Sequence, residues 1–252
     1  MQLKDKVAIV TGAARGLGRA YAEALAKEGA AVVAGDVRDC ADTVKAIRDA
    51  GGRALGVALD VAKLDSCKAT ADAAVKEFGR VDALVNNAAL YANLKGGRFD
   101  QLDESQWDQV MQVNIKGVWN ACRAVVPLMR AQKSGSVINI SSLAPVYGLP
   151  YALDYSMSKG AVIAMTRSLA RELGRDWVRV NAVAPSAVMT EGTKEFFGEK
   201  LDKAKQVIAQ GQSLQRNLET GDLTGTIVYL VSDASKFVTG QTIMVDGGTV
   251  FL

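Results

Sequence analysis

Tyr155 and Lys159 stand four residues apart in "LDYSMSKGAVIAMTRSLARELG", residues 153–174, at the start of an apolar-striped stretch. Residues at that spacing share one face of a helix, so a phenolic oxygen and an ammonium converge on one point. An isolated Y-x-x-x-K more often describes a partly exposed tyrosine beside a snorkelling lysine. This chain, however, contains no histidine. Ser-His triads, imidazole bases and the common histidine zinc sites are thereby excluded, and acid–base chemistry falls to Tyr, Lys, Asp, Glu or Cys. The three cysteines, Cys40, Cys67 and Cys122, have neither metal-site nor disulfide-framework spacing and read as small buried hydrophobes. No metal site is expected.

A second group of residues points to an anionic ligand. Gly12, Gly16 and Gly18 in "TGAARGLG" follow an apolar run and open an amphipathic one. Glycines there allow a tight bend, close backbone approach to a pyrophosphate and close helix packing, while the N–H groups and dipole at the helix start attract phosphate. Asp36 ends the next apolar run. A carboxylate at that place accepts hydrogen bonds from ribose hydroxyls and repels a 2′-phosphate, so NAD is expected over NADP. The competing reading is that Asp36 caps the following helix. Arg15 and Arg38 are both able to approach a phosphate on the ribose.

These groups need a framework that holds them still. Val162, Met165, Thr166, Leu169 and Leu173 form a stripe by which the Tyr155 helix packs on a sheet. Strand-like runs at 6–11, 30–36, 53–60, 81–89, 136–142, 178–185 and 240–248 alternate with helical stretches at 16–28, 40–50, 65–78, 102–131, 154–175, 190–211 and 221–232. Seven strands separated by helices describe a doubly wound α/β fold with a parallel sheet and helices on both faces. No linker, repeat or low-complexity segment divides residues 1–252, so one domain is expected. The net charge is +3, from 30 Lys and Arg against 27 Asp and Glu, with signs interspersed, which gives nucleic-acid binding no support. Apolar runs are too short to span a bilayer, and the amino end does not read as a signal peptide. The cytoplasm is the expected location.

Together, "TGAARGLG", Asp60, "NNAA" at 86–89, Asn114, "SS" at 141–142, "YSMSK" at 155–159, "NAVAPS" at 181–186 and "VDGG" at 245–248 resemble, in order and spacing, the classical short-chain dehydrogenases/reductases over essentially the whole chain. The resemblance implies a single-domain Rossmann fold with a seven-stranded parallel sheet, and a homotetramer built through the 102–131 and 154–175 helices and the last strand. It implies that Asn114, Ser142, Tyr155 and Lys159 form the catalytic tetrad, with Ser141 only a neighbour. It also implies nucleotide contacts from Gly12, Arg15, Gly16, Leu17 and Gly18, from Asp36, Asp60 and Val61, and from Asn87, Ala88 and Ala89. Tyr155 and Lys159 join them, as do Pro185, Ser186, Val188 and Thr190 over the nicotinamide. Ala89 and Ser186 stand where the family commonly has glycine, which alters the shape of the pocket. Trp107 and Trp119 are expected in the core more than at an interface.

The chemistry expected is hydride transfer between a secondary alcohol and a nicotinamide. Tyr155 would act as base in oxidation and acid in reduction, with Lys159 lowering its pKa and holding the nicotinamide ribose. Ser142 would bind the substrate oxygen. Asn114, an amide inside a long helix, would by itself face solvent or bond locally; the resemblance gives it a water-mediated relay to Lys159. Tyr91, Leu94, Ser142, Ala144, Tyr147, Leu149, Pro150 and Leu153 are expected to line the substrate side, with 190–211 folding over as a lid. That apolar set suits an uncharged cyclic or aryl ketone or alcohol. The alternative is an NADPH-dependent 3-oxoacyl-thioester reductase, for which Lys194, Lys200, Lys203 and Lys205 on the lid offer a basic run. A non-catalytic dinucleotide-bound scaffold has no need of four convergent polar groups.

Overall fold

The chain alternates strand and helix in the computed structural model, which describes residues 1–251. In order the elements are β1 (Val7–Thr11), α1 (Gly16–Lys27), β2 (Ala31–Asp36), α2 (Ala41–Asp49), β3 (Arg53–Ala58), α3 (Leu64–Phe78) and β4 (Ala83–Asn86). There follow α4 (Glu104–Val110), α5 (Gly117–Gln132), β5 (Gly135–Ile140), α6 (Ala144–Tyr147), α7 (Leu153–Leu173), β6 (Val178–Pro185), α8 (Glu191–Phe197), α9 (Leu201–Gln210), α10 (Thr220–Val231) and β7 (Thr242–Val245). All strand pairs are parallel, in the order β3-β2-β1-β4-β5-β6-β7. This is a single-domain Rossmann fold. The chain reverses its winding direction between β1 and β4, and the crevice at the carboxyl ends of those strands is where such sheets bind ligands.

Each face of the sheet buries its own apolar cluster. One gathers Tyr21, Leu25, Ile138, Leu223 and Ile227 beneath α1, α2 and α10; the other gathers Ile9, Leu84, Val125, Met129, Val162 and Leu173 beneath α3, α5 and α7. On α1 the buried residues are Gly18, Tyr21, Ala22, Leu25 and Ala26, one stripe at helical spacing. A buried leucine of this kind contributes about 1.5–3 kcal/mol.

Three features depart from the sequence expectation. The 102–131 stretch is not one regular helix: α4 and α5 are joined by a π turn over Met111–Lys116. The extra residue per turn turns Asn114 inward, where it is fully buried, and α5 resumes its own stripe of Val118, Ala121, Cys122, Val125 and Met129. The short α6, closed by Gly148 at φ +75°, lies between β5 and α7. Trp119 is about half exposed rather than in the core, with the Arg123 guanidinium 4.5 Å from its ring centroid. The three cysteines are free and buried, as their spacing suggested. No helix among the described residues is long and apolar enough to cross a membrane.

Candidate active site

The turn after β1 has the shape of a phosphate cradle. Gly12 and Gly16 sit at φ +68° and +57°, a region that disfavours any side chain, and a Cβ on Gly18 would lie 2.0 Å from the Gly12 carbonyl oxygen. The amino end of α1 has no side-chain cap, so the N–H groups of its first turn, at Gly16, Leu17 and Gly18, are free of competition from a cap. Asn87 clamps this turn from β4, its Nδ2 donating to Thr11 O and Gly12 O at 3.0 and 3.1 Å. Thr11 completes the clamp: its hydroxyl accepts from the N–H groups of Asn87 and Ala88, both at 3.0 Å. These residues fit a dinucleotide.

On the adenosine side, Asp60 Oδ1 accepts from Ala62 N, and buried Val61 packs so closely on Gly117 that a Cβ there would meet it at 2.7 Å. Asn120 Nδ2 ties the Val61 and Ala62 carbonyls at 3.0 and 3.2 Å. Sequence reasoning missed both Thr11 and Asn120; the threonine opening "TGAARGLG" was the available signal for the first. On the nicotinamide side, Pro185 O accepts from Leu143 N, and the Ser186 hydroxyl accepts from Gln212 Nε2 at 3.2 Å. Val188 is buried, and Thr190 Oγ1 caps α8 by accepting from Thr193 N. A Cβ on Gly16 would sit 3.9 Å from Thr190, so the two ends of the nucleotide groove meet there. Ala89 is half-buried beside this groove.

The four polar groups are brought together by β5, α7 and the π turn. The Ser141 hydroxyl donates to Lys159 O at 2.9 Å and so anchors α7 to β5. Its neighbour Ser142 stands close enough to the Tyr155 phenol to favour the phenolate. Lys159 Nζ lies 5.8 Å from the Tyr155 ring centroid and donates to Ile140 O at 2.8 Å. Asn114 Oδ1 accepts from Leu90 N at 2.7 Å, while its Nδ2 donates to Leu90 O and to Ser158 Oγ, on the same helix as Lys159.

Burial governs the ionisation of the pair. It pushes the Tyr155 phenol well above its ordinary range, outweighing the opposite effect of Ser142, and it lowers Lys159 to about 8. The expected lowering of Tyr155 by Lys159 is therefore not what these residues produce by themselves: desolvation of the phenolate is the larger effect. Donation of the phenol proton therefore needs a further group that favours the phenolate, which a bound nicotinamide and the nearby Lys159 ammonium would supply.

Of the expected substrate residues, Tyr91 packs on Tyr155, with ring centroids 5.3 Å apart. Ala144 is buried, its N–H donating to Ser142 Oγ. Leu94 is half-buried, and Tyr147, Leu149, Pro150 and Leu153 are exposed along α6 and the start of α7. Phe196 of α8 stacks on Tyr91 at 4.8 Å, and Phe197 meets Phe196 edge-on at 5.2 Å. The "FF" doublet within 190–211 was the missed signal for this aromatic wall.

A family model described as Enoyl-(Acyl carrier protein) reductase matches residues 12–250. The chain belongs to the short-chain dehydrogenase/reductase family and is an oxidoreductase of the kind that acts on a carbonyl or alcohol with a nicotinamide nucleotide. It is 39% identical to the 3-oxoacyl-[acyl-carrier-protein] reductase FabG of Thermotoga maritima over 252 residues, 99% of this chain and 100% of the relative. It is 37% identical to the FabG of Staphylococcus epidermidis over 247 residues, 97% and 98% of the two chains. Among solved structures it is similar to levodione reductase, with a TM-score of 0.93, 30% identity and 98% of each chain covered.

These relatives overturn the expectation of NAD, because 3-oxoacyl reduction is the activity that the sequence analysis joined to NADPH. The inference from Asp36 took its carboxylate to be free for the ribose. Instead Oδ2 accepts from Ala14 N in the glycine turn and Oδ1 from Arg38 N, each at 3.0 Å. The carboxylate anchors the turn, and it does not cap α2, which begins at Ala41.

Proposed function

We propose that the protein is an NADPH-dependent reductase of 3-oxoacyl thioesters, yielding the 3-hydroxyacyl product. The observation that carries this reading is the near-full-length likeness to two 3-oxoacyl-[acyl-carrier-protein] reductases, joined to a site in which β5 and α7 hold Ser142, Tyr155 and Lys159 together. The bound nucleotide supplies a hydride. Gly12, Gly16, Leu17 and Gly18 hold its phosphates, Asp60, Val61 and Asn87 border its adenosine side, and Pro185 through Thr190 border its nicotinamide. Ser142 orients the substrate carbonyl, and Tyr155 donates the proton its oxygen needs. Lys159, charged at pH 7 with a pKa of about 8, would favour that proton's release by stabilising the phenolate left behind. Asn114 fixes the loop at Leu90 to α7, from which a water chain would return a proton to Lys159.

Lys194, Lys200 and Lys203 are exposed on the lid, whereas Lys205 pairs with Asp202 at 3.6 Å. That face suits a phosphate-bearing thioester carrier. Exposed Trp119 on α5 and the β7 edge suit assembly into a homotetramer. A second reading, reduction of a free cyclic or aryl ketone, is favoured by the aromatic wall of Tyr91, Phe196 and Phe197. Purified protein would be assayed with NADPH and NADH against acetoacetyl-CoA and a panel of cyclic and aryl ketones. Turnover of the thioester with NADPH at the highest kcat/KM is expected. Turnover confined to the ketones would favour the second reading, and a preference for NADH would refute the nucleotide assignment.

A further inference from the structure

We propose that Glu195, on α8 of the lid, helps select the nucleotide, because its carboxylate competes with the ribose phosphate for Arg15. The proposal deepens the NADPH reading above and rests on it only for which nucleotide carries the phosphate.

Glu195 makes a two-pronged ion pair with Arg15, Oε1 to Nη1 at 2.5 Å and Oε2 to Nη2 at 2.9 Å, and Glu191 lies 3.8 Å from the same nitrogen. The pair joins segments 180 residues apart in the chain. Arg15 immediately precedes α1 in the glycine turn, and Asp36, at the end of β2, is near enough to favour its charged form. Arg15 follows Ala14, whose N–H bonds the Asp36 carboxylate at 3.0 Å, so its side chain springs from the part of the glycine turn that borders the end of β2. Arg38 follows the same strand, is exposed, and adds its positive field at Glu195. The Glu195 carboxylate thus holds negative charge against the Arg15 guanidinium, beside the strand end where a ribose phosphate would need to bind.

Glu195 occupies the Nη1–Nη2 edge of the guanidinium and leaves only its Nε side for a second anion. A nucleotide bearing the extra phosphate must displace Glu195 from that edge or bind beside it, and in either case the phosphate meets the carboxylate's repulsion. A nucleotide without it leaves the pair intact. The next residue, Phe196, stacks on Tyr91, which in turn touches Tyr155, so the exchange at Arg15 also bears on how α8 sits over the substrate side.

The test is Glu195→Gln, which keeps size and removes charge, with Kd values for NADPH and NADH measured by calorimetry at low salt. NADPH binding should tighten about two- to fivefold, the range set by the worth of an exposed ion pair, while NADH binding stays unchanged. The gain should shrink at high salt. Glu199→Gln removes the same charge from an exposed lid position that makes no ion pair with Arg15 and should leave both Kd values as they are. In an Arg15→Gln background the effect of Glu195→Gln should vanish. Equal tightening of both nucleotides, or an effect that survives without Arg15, would overturn the proposal. A wild-type protein that prefers NADH would refute the NADPH reading alone, since the shift in selectivity would still be read from the variant.

Discussion

Replacing Lys159 with methionine should make the protein more stable at neutral pH while abolishing turnover. Lys159 is 5% exposed, and burial lowers it from 10.5 to about 8. That lowering corresponds to about 3 kcal/mol of destabilisation whenever both states are charged. Loss of the bond to Ile140 O gives back about 1 kcal/mol, leaving a net gain of about 2 kcal/mol for the variant at pH 7. Below pH 8 the native protein must keep the ammonium buried. Between pH 8 and 10.5 the unfolded chain binds more protons than the folded one, so wild-type stability rises with pH and the advantage of the variant fades. Urea unfolding of both proteins without nucleotide, at pH 7 and again near pH 10, measures this directly. A variant no more stable at pH 7, or an advantage that grows with pH, would refute the claim that desolvation dominates at Lys159.

Tyr155→Phe should remove turnover while leaving nucleotide Kd within about twofold, because the ring and its packing on Tyr91 remain; calorimetry and a single-turnover assay check the two halves. Gly18→Ala should weaken nucleotide binding by roughly five- to 150-fold, since its methyl would meet the Gly12 carbonyl at 2.0 Å and relieving such a clash costs about 1–3 kcal/mol. Ser142→Ala should lower kcat by about 10²–10³, at a stability cost of about 1 kcal/mol for the lost bond from Ala144 N, whereas Ser141→Ala, which loses only the bond to Lys159 O, should cost a similar amount of stability and keep most turnover. Tyr21→Phe should stabilise the protein by about 1 kcal/mol in urea unfolding, because the Tyr21 hydroxyl is fully buried without a hydrogen-bond partner.

Most of the framework was written in local patterns. Short apolar runs alternating with striped helices specify strand and helix by their periodicity, and repeated βα alternation leaves a parallel sheet as the economical way to bury both faces. Gly12, Gly16, Gly18, Tyr155 and Lys159 were legible because their roles depend on spacing within one turn or one helix, which neighbours in sequence fix. Interactions across the sheet were not. The inward turn of Asn114 depends on a π turn packed against α7, and the clamp of Thr11 and Asn87 on pairing between β1 and β4. The anchoring of the glycine turn by Asp36, through Ala14 N and Arg38 N, was likewise decided by packing, although residue type alone had suggested a ribose ligand. Phe196 and Glu195 join the site only because α8 folds back over residues about 100 and 180 positions earlier. Partners that far apart in the chain leave no periodic trace, and desolvation of Tyr155 and Lys159 likewise exists only once the surrounding elements have closed around them.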